Sequence, residues 1–578
     1  MTRRRAGVLA LLLPAVPLAL AWLPAPPAGA QAARNARSAV LFLVDRVSFE
    51  DLLSIPQVRG LAGAGGVGLL SSRTSLRELL DQAELAGVPL RVADLGSIEG
   101  SEGGAAPARL RRAGNEISRT LEELRRGNEL VIVATPLPSS AMRQAKDELT
   151  GIVVARGPAD QLAAAAAGAP PDRDALTGLT SDSTRRPGVV SSLDVLPTIE
   201  AFLSKQTPDA ASIVPDPAPA PFELHERYLA NRRESVPIQT AAGLYVTAAG
   251  LFGVAVLWRG AGGRVRRLAA LGAFSLLPLS TALLLVGHLS RLTYITVVPV
   301  VVAGTLLGTL AFALPERDHG PVYAAGAAGA AVLLLLAAES ALGWSAALTP
   351  FLGGSELDGG RFYGLPNVFI GLLLGASLYV AAWVEGPLRG AAVVAATGLF
   401  AGLPWTGSNL GGAATLFAAA GLWYGIRRSG RLGLPEAGWG LMAAGAGTLV
   451  VLAAHRFLAS TPTHITRFLE GESGGLATRI ADRLGVGVDL LVRNPFALVP
   501  VLGVPVCLWV VLRPPPALRP VFARRPVWRD AVLTILAGSV VAYLANDSGA
   551  AALGLGFGTG LAGLLYVSLV DPPGMMEA

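Results

Sequence analysis

Two regimes of hydrophobic patterning divide the chain near residue 236. Before it, apolar residues come in short, strand-length runs separated by charged, helix-like segments. After it, stretches of about 17–22 largely apolar residues recur almost to the last residue, the length a helix needs to cross a bilayer. Leu268–Val286, Val298–Leu314, Val322–Leu342 and Leu553–Val570 are examples, and their many small residues suit close helix packing in lipid. Eleven spans are predicted, at about 237–257, 267–287, 293–314, 321–342, 365–384, 389–404, 411–426, 436–454, 495–512, 529–545 and 549–570. A soluble helical core would not need so many uninterrupted apolar runs.

The front half reads as alternating strand and helix. Residues 38–46 form a buried, parallel-type strand ending in Asp45. Gly60–Leu70 is a Gly-rich turn and short strand, and Leu76–Ala86 is helix-like. Leu90–Asp94 is a strand, Arg109–Gly127 a helix, Leu130–Ala134 and Gly151–Ala155 strands, and Val195–Ser204 a closing helix. This alternation predicts an α/β domain with a mostly parallel sheet. Sites in such sheets form beyond the carboxyl ends of the strands, which makes Asp45 and the Thr135–Ser140 loop neighbours. Pro215–Pro221 is an extended spacer, and Phe222–Asn231 an amphipathic helix leading into the membrane.

Charge adds orientation. Arg3, Arg4 and Arg5, the apolar run Ala6–Leu23 and Ala28-Gly29-Ala30 form a secretory signal, cleaved or kept as a first anchor. The expected organisation is a signal over 1–30, an exported α/β domain over 31–204, a Pro-rich linker with amphipathic helix over 205–236, and a transmembrane domain over 237–571. Arginines at 259, 264, 266, 267, 317, 389, 427, 428, 431, 513, 519, 524, 525 and 529 fall in alternate loops. The intervening short loops hold only Arg291 and Arg361, so the Arg-rich loops and the C-terminus are expected in the cytoplasm. Arg227, Arg232, Arg233 and five arginines in 455–494 run against the rule, which long translocated segments follow poorly. The net charge of +6 is accounted for by these helix-end arginines and implies no nucleic-acid partner. The single Cys507 excludes a disulfide framework and a CxxC metal site, and no GxxxxGK[ST] phosphate loop is present.

The strand ending in Asp45, the segment Ile55-Pro56-Gln57-Val58-Arg59-Gly60-Leu61-Ala62 and the late Leu193-Asp194-Val195-Leu196-Pro197-Thr198-Ile199 resemble the alkaline-phosphatase-like superfamily. That resemblance implies a metal ligand at Asp45, a Ser or Thr nucleophile in the region of Ser71, Ser72 and Thr74, and further carboxylates such as Asp182 or Asp194. The departures matter as much. Active members carry an Asp-His pair after a central strand, where this chain reads Val133-Ala134-Thr135-Pro136-Leu137-Pro138-Ser139-Ser140. No histidine occurs between Gln31 and Phe222. Two-metal chemistry needs several N and O ligands around paired ions, so a catalytically silent domain without metal or other cofactor is expected. Asp45 then caps a helix or pairs with Arg46 or Arg185. The polar loop 181–188, with Arg185 beside Arg186, is either solvated or a grip for a phosphate or anionic lipid head group.

In the membrane half four outward segments are polar. They are Gly353–Asn367 (with Arg361, Tyr363 and Asn367), Pro404–Asn409, the long segment 455–494 with His455 and His464, and Asn546-Asp547-Ser548-Gly549. Glu339 within the fourth span joins them. Turn chemistry explains each singly, but polar groups beside hydrocarbon are stable only in protein or a hydrated cavity, so one shared outward pocket is expected. Their R-F-Y-G-x-x-N and N-D-S-G strings are similar to an uncharacterised group of Gram-positive membrane proteins, which implies no activity. The reading reached is a multi-pass envelope protein whose silent phosphatase-like domain caps a membrane domain handling a lipid-linked envelope precursor or anionic lipid. The alternatives are a phosphotransferase or phosphate or sulfate ester hydrolase with a composite site, and a structural partner of cell-wall assembly proteins.

Overall fold

A computed structural model describes residues 37–71, 76–82, 89–98, 105–124, 127–144, 147, 149–184, 186–204, 212–219, 221–260, 262–286, 289, 293–313, 320–342, 364–384, 386–459, 465, 498–516, 518–546 and 549–570. The signal segment 1–30 lies outside the described residues.

The front half is an α/β domain around one eight-stranded sheet. Its strands are β1 (Arg37–Asp45), β2 (Gly65–Ser71), β3 (Leu90–Ser97), β4 (Asn128–Ala134), β5 (Leu149–Pro158), β6 (Thr177–Ser181), β7 (Val189–Ser191) and β8 (Ile213–Pro219). The order across the sheet is β3-β1-β4-β5-β2-β6-β8, with β7 also on β2. Strand β1 lies parallel between β3 and β4, with Leu41 opposite Val92 on one side and Ile132 on the other. That central place follows from its unbroken apolar run, which only a strand covered on both faces can bury. Strand β5 runs antiparallel to both β4 and β2, and β8 antiparallel to β6. The sheet is therefore mixed rather than built on parallel pairs throughout, because β4 returns through β5 without a crossover onto a parallel neighbour.

Helices α1 (Phe49–Ser54), α2 (Pro56–Ala64), α3 (Leu76–Gln82), α4 (Ala105–Glu123), α5 (Ser140–Gln144), α6 (Ala159–Ala167) and α7 (Val195–Leu203) complete the domain. Alternate β1 residues face opposite layers, as a strand's two-residue period requires. Val40, Phe42 and Val44 meet Phe49, Leu52, Val58, Leu61, Ile117 and Leu162 from α1, α2, α4 and α6. Ala39, Leu41 and Leu43 meet Leu76, Leu80, Val195 and Ile199 from α3 and α7. Gly60 is required where α2 meets α6, since a side chain there would collide with the Ala165 carbonyl.

The Pro-rich stretch read as a spacer is extended, but it is paired. As β8 it closes the sheet's edge against β6, where proline's missing N–H is tolerated. The helix after it is longer than expected. α8 (Phe222–Arg259) runs 38 residues through Pro237, so the amphipathic segment and the first apolar run are one rod. Its first turns belong to the domain, because Phe222, Leu224 and Tyr228 pack into the core of α1, α2 and β1.

The remaining helices are α9 (Gly263–Phe274), α10 (Leu276–Leu285), α11 (Tyr294–Ala313), α12 (Pro321–Leu342), α13 (Phe369–Trp383), α14 (Pro387–Gly402), α15 (Leu410–Ser429), α16 (Leu434–Phe457), α17 (Leu498–Leu512), α18 (Arg519–Arg524), α19 (Pro526–Ala545) and α20 (Gly549–Val570). Among the described residues six helices are long and apolar enough to cross a membrane, namely α8, α11, α12, α16, α19 and α20. The α9–α10 pair, bent by 40°, makes seven if it is one span, and α13, α14 and α17 are shorter apolar helices. α13, α15, α19 and α20 form the buried centre, around Tyr379, Trp423, Trp528 and Tyr566. The outer helices instead expose Leu251, Leu307, Leu441, Leu449, Leu502 and Trp509. Apolar surface on that scale is stable against hydrocarbon, not water. At the centre, Gly371 lies against the Ala552 carbonyl and Gly329 against Ala376, approaches that a side chain would block. Several helices thus suit a membrane, and the chain reads as a membrane protein.

Candidate functional site

At the carboxyl end of β1, Asp45 is nearly buried and Arg46 turns the chain with a left-handed φ of 58°, unusual for a side chain with a Cβ. The Arg46 N–H donates to the Leu137 carbonyl at 2.9 Å, which joins this strand end to the Thr135–Ser140 loop. Asp45 pairs with a residue that sequence reasoning passed over. Arg77, in the first turn of α3, donates Nη2 and Nε to Asp45 Oδ2 at 2.5 and 3.1 Å. The same guanidinium donates Nη1 and Nη2 to Asp94 of β3 at 2.8 and 3.0 Å. Hydrogen bonding to Arg77 holds the Asp94 carboxyl below the usual carboxylate range, and the two carboxylates raise the arginine further above its own. A cation therefore already sits between the strand-end carboxylates. Asp45 Oδ1 is buried without a hydrogen-bond partner among the described residues.

The other domain candidates are spread along the sheet. Ser71 ends β2, which β4 and β5 separate from β1, so it lies three strand spacings from Asp45, about 14 Å. Asp194 is fully buried and accepts from the Ser183 hydroxyl at 2.7 Å and the Ser183 N–H at 3.1 Å, fixing the turn after β6. Asp182 opens that turn, its N–H bonded to the Ser212 carbonyl. Arg186 follows it, with its carbonyl accepting from Thr180. Ser72, Thr74 and Arg185 lie outside the described residues. Among the described residues no group of three or more His, Cys, Asp or Glu side chains is placed to hold a metal.

The polar segments of the helical region do meet. Asn409 is fully buried, and its Oδ1 accepts from the Gly412 N–H at 2.8 Å, capping the start of α15. Its Nδ2 donates to the Leu365 carbonyl at 3.1 Å and to Asn367 Oδ1 at 3.0 Å, tying the second segment to the first. Leu365 also donates its N–H to the Gly407 carbonyl, a contact that Gly364 permits with φ 84° and no side chain. His455, at the end of α16, donates Nε2 to the Gly402 carbonyl at 2.9 Å. From the fourth segment, Asn546 donates Nδ2 to the Ala542 carbonyl at 2.9 Å and reaches Thr415 Oγ1 at 3.5 Å. Gly411 packs against the Ala545 carbonyl and Asn546 Oδ1.

Two polar atoms in this cluster, Ser408 Oγ and Asn546 Oδ1, are buried without a partner among the described residues. Ser408 is wholly buried and also has a left-handed φ of 48°. Orphan groups of this kind each cost about 1–3 kcal/mol unless water or a ligand answers them, and strain of this kind gathers at binding sites. Gly326 against Trp383 and Gly329 against Ala376 set the antiparallel register of α12 and α13, which brings buried Glu339 to the height of Asn367. Arg361, Tyr363, Asp547, Ser548 and His464 lie outside the described residues. The opposite end of the bundle is cationic, where Arg427 pairs with buried Asp530 at 2.8 Å.

A second pairing missed in the sequence joins domain to helix. His225 of α8 donates Nε2 to Asp147, 3.1 Å from Oδ2, both side chains buried, with Phe49 edge-on to the imidazole. No family model matches the chain, and neither a curated protein nor a solved structure matches it.

Proposed function

We propose that this chain is a multi-pass protein of the cell envelope in which an extracytoplasmic, alkaline-phosphatase-like domain without two-metal catalysis caps a membrane domain. That membrane domain has eleven spans with its C-terminus in the cytoplasm, and it handles the polar head of a lipid-linked or anionic envelope component. The observation that carries the reading is the cluster of half-buried Asn367 with buried Ser408, Asn409, Thr415 and Asn546, drawn from three chain-distant segments and left with two polar atoms unanswered among the described residues. Amides and hydroxyls in fixed positions suit a head group rich in hydroxyl, amide or phosphate oxygens.

Arg77 supports the silence of the domain, because a guanidinium bonded to Asp45 and Asp94 occupies the place where a metal would meet the strand-end carboxylate. The concentration of arginines at the end away from the cluster, including Arg427, Arg428, Arg431, Arg524 and Arg529, supports the orientation. Replacement in the native cell separates the two halves of the reading. Asp45→Asn is expected to preserve normal envelope composition, whereas Asn546→Leu at equal protein abundance is expected to disturb it. Loss of function in Asp45→Asn together with full function in Asn546→Leu would contradict the proposal.

A further inference from the structure

The sheet of the front domain has two edges, and the chain treats them differently. At one, β8 carries Pro215, Pro217 and Pro219, which remove N–H donors and so discourage a further strand. At the other, β3 holds no proline within Leu90–Ser97. β1 and β3 run parallel, and Ala39 donates its N–H to the Pro89 carbonyl at 3.0 Å. Backbone groups alternate sides along a strand, so Pro89, Arg91 and Ala93 serve β1, whereas Leu90 and Val92 direct theirs away from the sheet. No described strand meets them, and Val92 is 40% exposed. The charges that would blunt this edge are drawn back onto the domain. Arg91 pairs with Glu123 of α4 at 3.0 Å, and Asp94 with Arg77 of α3.

Beside this edge, β3 and α4 border an open groove of about 540 Å³, with Arg91, Ala93, Leu95, Arg109, Arg112 and Glu116 on its lining. Its charges are answered with one exception. Arg109 donates Nη1 to the Ser97 carbonyl at 3.1 Å, and Glu116 pairs with Arg119 at 2.6 Å. Exposed Arg112 has no ion-pair partner among the described residues. A second copy of this edge would bring guanidinium against guanidinium. We infer that β3 accepts, as an added strand, an extended segment of a separate protein whose alternate side chains are acidic. Its backbone bonds to Leu90 and Val92, and one of its carboxylates meets Arg112. The site concerns the α/β domain alone and is independent of the head-group reading above.

The test measures, by fluorescence anisotropy, binding of labelled Lys-Thr-Val-Glu-Val-Glu-Val-Glu-Thr-Lys to the full chain in detergent. N-methylation of alternate amides gives two further peptides. In one the methyl groups face β3 and binding should vanish; in the other they face solvent and binding should persist. Val92→Pro, which removes a donor that β1 does not use, should abolish binding of the parent peptide. Arg112→Ala, and separately glutamine for glutamate in the peptide, should each weaken binding about two- to fivefold, the size of an exposed ion pair. The two changes together should cost little more than either alone, and Arg111→Ala, off the groove, should change nothing. No binding of the parent peptide, equal binding of the two methylated peptides, or equal losses in Arg111→Ala and Arg112→Ala would overturn the site. In membranes, Val92→Cys in a Cys507→Ala background should stay monomeric on oxidation. A disulfide-linked pair would make a second copy the occupant and overturn the assignment.

Discussion

Replacing Arg77 by leucine keeps much of its aliphatic bulk and removes the cation that holds Asp45. Asp45 Oδ2 then loses both hydrogen bonds, while Oδ1 already has no partner among the described residues. Deleting one partner of a fully buried ion pair costs about 3–5 kcal/mol. Here the side chains are 33% and 12% exposed, so solvent screening lowers the expected cost to about 2–3 kcal/mol. Losing the Asp94 contact adds little, since that carboxylate is half-exposed. None of the nine tryptophans lies between residues 37 and 219, so hydrogen exchange of β1 and β3 peptides in the full chain is the suitable assay. Protection in these strands should fall about 30- to 150-fold, at about 1.4 kcal/mol per tenfold. Asp45→Asn added to Arg77→Leu should recover most of it. Asp94 gives the sign with pH: its lowered carboxyl contributes stability above the ordinary carboxylate value, lost as pH falls through the folded-state value. The small Asp94 share of the Arg77→Leu deficit should therefore disappear in acid, while the Asp45 share sets the rest. Unchanged exchange in Arg77→Leu, or a larger loss in Asp45→Asn alone, would refute the pairing argument.

Three further outcomes are expected. Burial raises the Glu129 carboxyl above its ordinary range against an opposing hydrogen bond from Ser38, so folding binds its proton and stability falls as pH rises through that window. Glu129→Gln should stabilise the domain above the window and not below it; an equal gain at both pH values in thermal unfolding would contradict this. His225→Phe removes the side-chain donor of buried Asp147, leaving only the Leu149 N–H on Oδ1 among the described residues, and should cost about 1–3 kcal/mol, read as faster exchange over residues 222–229. Asn409→Ala removes a helix cap and two donated bonds, about 2–4 kcal/mol together, and should open the first turn of α15 to exchange. Asn409→Asp, which keeps the cap acceptor, should lose less.

Much of the fold was legible because burial leaves periodic marks. The unbroken run 39–44 announced a central strand, and the long apolar runs announced helices suited to lipid. Short or polar strands left none. Thr177–Ser181 carries no strand pattern, and Pro215–Pro221 reads as a spacer until β6 is there to pair with Ile213–Pro219. Strand direction was equally silent, since β5 is as apolar as a parallel strand. In the sites, Asn409 was readable as a polar residue immediately before an apolar helix, whereas its bond to Asn367 joins segments 42 residues apart. Arg77 looked like one charge on an amphipathic helix. The missing histidines around Asp45 were the clue, because a nearly buried carboxylate without metal ligands beside it requires a cation within reach.

The most direct measurement is native mass spectrometry of the full chain extracted from its own membranes, with wild type compared against Asn546→Leu and Asn409→Ala. The expected result is a lipid with a large polar or phosphorylated head retained on wild type at near one per chain, and lost from both variants while bulk phospholipid remains. Equal retention by all three proteins, or no such lipid on wild type, would contradict a head-group site in the cluster of Asn367, Ser408, Asn409 and Asn546.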